Sequence, residues 1–286
     1  MEVIEDVSGV RERLSNARAE GKRIAFVPTM GNLHPGHLKL VSVAKQHADF
    51  VVVSIFVNPL QFGAGEDFAD YPRTPEEDQS VLQGLKVDVL FQPQTETMYP
   101  DSPEHSTFVE VPVLSAKLCG RHRPGHFRGV TTVVNRLFNI VQPDVAVFGK
   151  KDYQQLVIIR KMVADLAIPV EILGVDTVRE PDQLAMSSRN NYLSERERKI
   201  APTLYATLDS IRSLIISIGE IPDDIEKQGL KRLQAAGFEP EYVSIRRQAD
   251  LLPPEIDDTR IVILAAAKLG NTRLIDNIEF ELNPDA

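Results

Sequence analysis

Short apolar strand patterns alternate with amphipathic helix patterns over the first 175 residues, and this alternation constrains the fold more than any other feature. The run 50–57 (FVVVSIFV) is apolar enough to be covered on both faces of a sheet. Strands and helices that alternate at these lengths form βαβ units, so we predict an α/β fold with a doubly wound parallel sheet. Ligands of such sheets bind at the carboxyl ends of the strands, at the topological switch point. The predicted strands are residues 22–27, 50–57, 87–91, 144–148 and 169–175, and the predicted helices are residues 35–48, 74–85, 125–141 and 153–166.

The pattern changes after about residue 176. Ser194 and Glu197 form a capping box that predicts a long helix to about residue 217, and a second helix follows over 222–236. Strand patterns then cover 241–247, 260–268 and 272–278. Helices followed by neighbouring strands indicate a smaller C-terminal α+β unit with an antiparallel sheet. We therefore predict two domains, 1–176 and 177–286, in keeping with a prior of roughly 150 residues per domain.

Charge and cysteine content exclude several classes of protein. The 32 basic and 41 acidic residues give a net charge of −9, which disfavours a nucleic-acid-binding surface. An anionic ligand would need a local basic pocket, which a screening length of about 8 Å permits. Cys119 is the only cysteine, so no intramolecular disulfide can form. The N-terminus lacks a signal-peptide pattern and no apolar run has membrane length, so we expect a soluble, cytoplasmic protein with no membrane partner.

Residues 28–37 (PTMGNLHPGH) lie where a predicted strand ends and a helix begins. Free backbone N–H groups and the helix dipole favour an anion at such a place. His34 and His37 are three residues apart, so both can point at the same ligand, donate hydrogen bonds to phosphate oxygens and stabilise developing charge. The alternatives are a proline-rich turn with two surface histidines, or a zinc site, for which a third ligand is missing.

Two further polar segments follow predicted strands. In residues 58–62 (NPLQF), the amides of Asn58 and Gln61 suit a ligand that carries hydroxyl and carboxylate groups. In residues 148–155 (FGKKDYQQ), a lysine could neutralise phosphate charge and Gln155 could bind a polar substrate group. Loop capping and solvated lysines are the alternatives for these two segments.

Residues 184–190 (LAMSSRN) form a polar loop in which the serines and Arg189 could bind a triphosphate. A serine-rich loop is weak evidence alone, but together with the HPGH turn it resembles the nucleotide-binding elements of class I aminoacyl-tRNA synthetases and related nucleotidylyltransferases. All four segments follow strands or the domain boundary. Doubly wound geometry therefore predicts that they converge at one edge of the sheet.

Longer strings narrow this resemblance to the pantoate–β-alanine ligase family. The match runs in order over most of residues 22–193 at the expected total length, and several strings are specific to that family. The C-terminal hundred residues add little beyond length and element order. The strings are PTMGNLHPGHL (28–38), VNPLQF (57–62), YPRT (71–74), RPGHFRGV (123–130), FGKKDYQQ (148–155) and MSSRN (186–190).

The resemblance implies a Rossmann-like first domain that binds nucleotide and pantoate, and a smaller domain that forms a lid over the ATP site. It also implies two half-reactions. ATP and pantoate would give pantoyl adenylate and pyrophosphate, and the β-alanine amine would then attack the adenylate to give pantothenate and AMP. Mg²⁺ would accompany ATP, and the protein would form a homodimer through its N-terminal domain.

The resemblance also implies roles for individual residues. The catalytic set would be His37, His34, Lys151 and Arg189. Pantoate and β-alanine would contact Gln61, Gln155 and Asn58, and Asp78 would lie near Mg²⁺. The ATP-binding set would be Met30, Gly31, Asn32, Leu33, His34, Pro35, Gly36, His37, Gly149, Lys150, Lys151, Asp152, Val178, Met186, Ser187, Ser188 and Arg189.

Two residues depart from the family pattern, and other functions remain alternatives. Gln183 stands where a glycine is expected, and Lys150 adds a second cation beside Lys151. The nearest alternative is another small-molecule adenylyltransferase of the same fold, which would join a nucleotide to a phosphorylated small molecule. A tRNA synthetase is poorly supported by the charge of −9 and the absence of an extended basic domain. A non-catalytic nucleotide-binding regulator would tolerate loss of a histidine or of Lys151, and all are present.

Overall fold

Six parallel strands form one sheet in the computed structural model, which describes residues 1–282. The sheet order is β1-β4-β3-β2-β5-β6, so β3 and β4 are added on one side of β2, and β5 and β6 are added on its other side. This change of side, between β2 and β5, is the topological switch point, and the predicted doubly wound α/β fold is confirmed. The strands are β1 (Glu2–Ile4), β2 (Ile24–Thr29), β3 (Phe50–Ile55), β4 (Val89–Phe91), β5 (Val145–Gly149) and β6 (Glu171–Val175).

Helices cover both faces of this sheet because its central strands are apolar on both sides. Leu40 and Val41 of α2 and Leu82 of α3 share an apolar cluster with one face. On the other face, Phe138 of α7 packs edge-on against Phe26, with ring centroids 6.5 Å apart. The helices are α1 (Val7–Ala19), α2 (Pro35–His47), α3 (Pro75–Gly84), α4 (Thr95–Met98), α5 (Pro112–Ser115), α6 (Cys119–His122), α7 (His126–Val141) and α8 (Tyr153–Asp165), with 3₁₀ helices at Pro59–Gln61 and Lys150–Asp152.

A three-stranded antiparallel sheet, ordered β7-β8-β9, forms the centre of the C-terminal region, as the sequence predicts. Leu208, Ile211 and Ile215 of α10 belong to the same buried cluster as the inward-facing residues of β8 and β9. The elements are a 3₁₀ helix at Ser188–Tyr192, α9 (Glu195–Ile200), α10 (Thr203–Ile218), α11 (Ile225–Ala235), β7 (Glu239–Arg247), β8 (Arg260–Leu269) and β9 (Thr272–Glu281).

The chain divides into two compact units. One consists of Met1–Lys150 and Ile158–Asp176, and the other of Lys151–Val157 with the chain from Thr177 onward. The short segment Lys151–Val157, which opens α8, thus clusters with the C-terminal residues.

Three local features differ from the sequence-based expectations. The patterns did not predict β1 and α1, although α1 has an Asp6 cap that accepts a hydrogen bond from the Gly9 N–H at 2.8 Å. Thr74 and Pro75 are residue types that favour the start of a helix, but the Thr74 side chain makes no capping hydrogen bond to α3. The predicted helix 195–217 is two helices, because Pro202 has no N–H with which to continue the first. The predicted capping box of Ser194 and Glu197 is present.

No helix among residues 1–282 combines the length and the apolar character that a bilayer crossing requires. The longest helices, α7 and α10, have 16 residues each.

Candidate active site

The turn after β2 is organised by a carboxylate from α3. Both oxygens of Asp78 accept backbone hydrogen bonds, from the N–H groups of Asn32 and Leu33, each at 2.8 Å. The backbone is left-handed at Gly31 and Asn32, with φ of 82° and 50°. A Cβ on Gly31 would lie 3.0 Å from Asp78 Oδ2, so only glycine fits this position without strain. Asp78, itself buried, therefore fixes the path of the chain into α2.

His34 and His37 form the N-terminal cap of α2 in place of the usual serine and glutamate. Nδ1 of His34 accepts a hydrogen bond from the Gly36 N–H at 3.1 Å, and Nδ1 of His37 accepts from the His34 N–H at 3.3 Å. Because Nδ1 is an acceptor in both rings, the proton of each neutral imidazole lies on Nε2. The ring centroids are 4.1 Å apart and the ring planes are tilted by 39°, so the two imidazoles pack against each other.

The carboxyl end of β5 lies next to this turn in the sheet, because β5 pairs with β2. Gly149 ends β5, and Lys150 follows it. Nζ of Lys150 forms an ion pair with Asp176, which follows β6, at 2.8 Å. The extra cation of this sequence is thus tied to the neighbouring strand end.

Three predicted site residues of the first unit lie in contact around the 3₁₀ helix that follows β3. Nδ2 of buried Asn58 lies 3.3 Å from Oε1 of Gln61, and Nε2 of Gln61 lies 2.8 Å from Sδ of Met30. Asn58 also donates to the Gly129 carbonyl at 3.1 Å and accepts from the Tyr99 hydroxyl at 2.8 Å. Burial raises the pKa of Tyr99, so this hydroxyl remains a donor at neutral pH.

The segment around Lys151 is held by strand β9 within the second unit. Nδ2 of Asn277 donates to the carbonyl oxygen of Lys151 at 2.9 Å. The hydroxyl of buried Tyr153 lies 3.1 Å from Oε1 of Glu279 and 3.2 Å from the carbonyl oxygen of Gln248. These bonds explain why Lys151–Val157 clusters with the C-terminal residues.

Asp152 and Gln155 are the remaining predicted site residues near the start of α8. The Asp152 side chain is exposed, whereas Gln155 is half-buried in the first turn of the helix. Its neighbour Gln154 is buried. Of the two glutamines, Gln155 is therefore the more exposed.

The loop that carries the MSSRN string has a defined backbone. The Met186 N–H donates to the Val178 carbonyl at 3.0 Å. Ser187 caps the following 3₁₀ helix by accepting from the Arg189 N–H at 3.3 Å. Ser188 is buried, whereas Arg189 is half-buried. Two predicted ATP-binding segments, at Val178 and at 186–189, are thus hydrogen-bonded to each other.

A buried ion pair supports this loop from β9. Arg179 makes two hydrogen bonds to the fully buried Asp276, at 2.7 and 2.9 Å, and also donates to the Gln183 carbonyl at 3.0 Å. Gln183 has a left-handed backbone with φ of 74°, which explains why a glycine suits this position.

Several of these supporting residues escaped the sequence analysis. Asp78 was expected only near a metal ion, and Asp276 and Asn277 were assigned no role. Arg123 and His126 belong to the RPGHFRGV string, but the string alone did not indicate a function for them. Asp78, Asp276 and Asn277 contact residues that are distant in the sequence. Only Asp276 and Asn277 carried a signal in the sequence, as polar residues within a strand pattern.

Comparison with known proteins identifies the family. The family described as Pantoate-beta-alanine ligase matches residues 2–279. A pantothenate synthetase of Shewanella loihica is 52% identical over 281 residues, covering 98% of this chain and 99% of that protein. A pantothenate synthetase of Pseudomonas putida is 54% identical over 285 residues, covering 99% and 98%.

Solved structures agree with these relatives. The crystal structure of pantothenate synthetase from Thermus thermophilus has a TM-score of 0.90 and 46% identity, covering 97% of this chain and 99% of that one. A pantoate-beta-alanine ligase from Francisella tularensis, complexed with beta-gamma ATP and beta-alanine, has a TM-score of 0.82 and 33% identity over the whole of both chains. The chain belongs to the pantoate–β-alanine ligase family.

Proposed function

We propose that this protein ligates pantoate to β-alanine at the expense of ATP. A carboxylate oxygen of pantoate attacks the α-phosphorus of ATP, and the bond from that phosphorus to the bridging oxygen breaks, releasing pyrophosphate. The amine of β-alanine then attacks the acyl carbon of the adenylate. The C–N bond forms, the amine loses a proton, and AMP leaves with the acyl–oxygen electrons.

The histidine pair at the start of α2 is the observation that carries this proposal. Two imidazoles that accept backbone hydrogen bonds at Nδ1 pack against each other at the amino end of a helix, at the carboxyl end of β2 beside the switch point. An anionic carboxylate that attacks an anionic phosphate needs this negative charge to be stabilised. His34 and His37 would donate to phosphate oxygens as charge develops on them, with residues 30–37 forming the first part of the ATP site.

Gln61 would bind the pantoate hydroxyl and carboxylate groups and would also contact β-alanine. Asn58, which is buried and already bonded to Gln61, Gly129 and Tyr99, would contribute to pantoate binding by orienting the Gln61 amide. Amide groups that are already hydrogen-bonded to one another are pre-oriented, and this lowers the cost of binding a polar ligand. Gln155 would complete the pantoate contacts. In the second unit, Lys151 and Arg189 would bind phosphates. Other residues of that unit would make further contacts to ATP: Val178, Asp152 and residues 186–188. In the first unit, Gly149 and Lys150 would also contact ATP.

Mg²⁺ would be held largely by the triphosphate, which supplies the hard oxygen ligands that this ion prefers. No group of three or more His, Cys, Asp or Glu side chains in residues 1–282 is arranged to hold a metal ion, which fits an ion that arrives with its nucleotide. Asp78 uses both carboxylate oxygens for the turn, so a contact to Mg²⁺ would have to use their remaining lone pairs. When bound, the ion would neutralise phosphate charge.

The proposal extends to a cytoplasmic homodimer that pairs through the N-terminal domain, and to a C-terminal domain that acts as a lid. The acyl adenylate is labile to water, so a closing lid would protect it. Sedimentation at several protein concentrations tests the dimer.

Pantoate-dependent exchange of labelled pyrophosphate into ATP tests the reaction. We expect exchange with pantoate and ATP alone, and production of AMP and pantothenate once β-alanine is added. An exchange rate that does not depend on pantoate but depends on a phosphorylated small molecule would instead indicate the alternative adenylyltransferase. The variant His105→Gln changes an exposed surface residue and controls for the effects of purification, so its exchange rate should equal that of the wild type.

A further inference from the structure

A chain of side-chain hydrogen bonds ends on the backbone of Gln61. Arg123 binds Glu66 through two N–H groups, Nε at 2.7 Å and Nη2 at 2.5 Å. Nη1 of Arg123 lies 3.1 Å from Nε2 of His126, and Nδ1 of His126 lies 2.7 Å from the Gln61 carbonyl oxygen. The Arg123 and Glu66 side chains are only 16% and 25% exposed, so water competes weakly with this chain.

The direction of each bond follows from the chemistry of its ends. A carbonyl oxygen can only accept, so His126 must donate from Nδ1 to Gln61. A guanidinium can only donate, so Nε2 of His126 must accept from Arg123. His126 is therefore neutral and carries its proton on Nδ1, which is the opposite tautomer to that of His34 and His37.

The 3₁₀ helix Pro59–Gln61, which contains Gln61, also packs against α7. A Cβ on Gly129 would lie 2.2 Å from the Leu60 carbonyl oxygen, so the helix backbone packs directly on the 3₁₀ helix. Asn58 adds a hydrogen bond to the Gly129 carbonyl at 3.1 Å. The backbone of Gln61 is thus held by α7 on one side and, at its carbonyl oxygen, by Nδ1 of His126 and by Nη2 of Arg123 at 3.4 Å.

We propose that Arg123 and His126, braced by Glu66, are positioning residues that set the substrate-binding amide of Gln61. This inference rests on the proposed function, because it assigns the effect to pantoate. None of the three side chains needs to touch substrate. Their loss should weaken the use of pantoate and leave the use of ATP nearly unchanged, a separation that general destabilisation of the fold would not produce.

Two variants of matched chemistry test the role of the Nδ1–H. In His126→Asn, the amide NH₂ stands near the position of Nδ1 and can still donate to Gln61. In His126→Gln, the amide reaches the position of Nε2, so the Gln61 carbonyl loses its short bond and keeps only the 3.4 Å bond from Nη2 of Arg123. We expect the Gln variant to raise the KM for pantoate about tenfold, the size of one lost hydrogen bond, and the Asn variant to restore most of it. The KM for ATP should change by less than about twofold in both variants, since an unchanged interaction leaves its binding free energy unchanged.

Equal pantoate KM values in the Asn and Gln variants, or an equal rise in the KM for ATP, would overturn the positioning role. A second measurement does not depend on activity or on the folding of a variant. Two-bond ¹⁵N–¹H correlation spectra of wild-type protein labelled at histidine should show His126 as the Nδ1–H tautomer, and the Nε2–H form would overturn the inference. Absence of pantoate-dependent exchange in the wild type, with the Nδ1–H tautomer present, would contradict the proposed function and its pantoate role while leaving the hydrogen-bonded chain intact.

Discussion

The backbone N–H of His34 donates to Nδ1 of His37 at 3.3 Å, so one candidate catalytic ring completes the capping box of its own helix by binding the backbone of the other. Capping and catalysis need different ring atoms, because Nδ1 accepts from the backbone while Nε2 carries the proton. The two functions can therefore be separated by substitution.

His37→Asn should separate them. An Asn Oδ1 can replace Nδ1 as the acceptor of the His34 N–H, but the shorter side chain has no donor at the position of Nε2. We expect the pyrophosphate exchange rate to fall roughly 10²–10³-fold, as for the loss of one preorganised donor, about 2.7–4 kcal/mol. The free energy of unfolding, measured by denaturant titration, should change by less than about 0.5 kcal/mol.

His37→Ala provides the comparison, since it removes the cap as well. It should lose a similar factor in rate and also about 0.5–2 kcal/mol of stability, the usual range for a lost cap. Near-normal exchange in His37→Asn would show that Nε2 is not a phosphate donor.

The fold and the position of this histidine turn could both be predicted from local patterns. The β-branched run of β3 and the proline at the first position of α2 each determine their own element, and strand alternation places the turn at the sheet edge. The bonds that shape the site could not be predicted in this way. Asp78 is 45 residues from the N–H of Leu33, and Asn277 is 126 residues from the Lys151 carbonyl, so only the tertiary fold brings them together.

Local patterns also did not predict α1, because its few buried apolar residues lie in a sequence with many charged residues. The helix α1 buries only Val10, Leu14 and Ala17 among many charged residues, which is a weak periodic signal. At Gln183, the sequence showed that a glutamine replaces the glycine expected from the family pattern. It did not show that the backbone at this residue is left-handed.

Gly129→Ala should disturb the pantoate site through the backbone. The added methyl group would overlap the Leu60 carbonyl oxygen at 2.2 Å and approach the Gln61 nitrogen at 2.7 Å, so the 3₁₀ helix must move. We expect a loss of about 1–3 kcal/mol in unfolding free energy, which is typical of overpacking. The KM of the variant for pantoate should be higher than the KM of the wild type for pantoate.

Gly84→Ala is the matched control for this change. Gly84 ends α3 and has no atom within 4 Å of the added Cβ. Alanine there should leave stability unchanged or raise it by up to about 1 kcal/mol. If both variants behaved alike, close packing of α7 on the 3₁₀ helix would not be what requires glycine.

The Glu66–Arg123 ion pair should make part of the stability pH-dependent at acid pH. Burial would raise the pKa of Glu66, but hydrogen bonds and charge from Arg123 outweigh this effect and lower the pKa to about 2. A carboxylate whose pKa falls on folding stabilises the native state above its unfolded pKa, about 4.3, and this contribution disappears as the pH falls towards 2.

Denaturant titrations of wild type and Glu66→Gln between pH 2 and 6 measure this contribution. The wild type should be more stable at pH 6, by at most about 3 kcal/mol, and the difference should shrink steadily below pH 4.5. A difference that stayed constant over this range would mean that the Glu66 carboxylate is not stabilised by Arg123.

Gln183→Gly should relieve backbone strain at the base of the MSSRN loop. The residue has φ of 74°, where a side chain costs roughly 1–2 kcal/mol, and its N–H and carbonyl are already bonded to Glu180 and Arg179. Glycine costs about 0.4–1 kcal/mol more unfolded-state entropy, so the net effect should be a gain of between about 0 and 1.6 kcal/mol. Gln83→Gly, at an exposed residue within α3, has no left-handed backbone to relieve and should lose about 0.5–1 kcal/mol. Denaturant titration of the two variants side by side makes the comparison, and a loss at Gln183 as large as that at Gln83 would show that Gln183 is not strained.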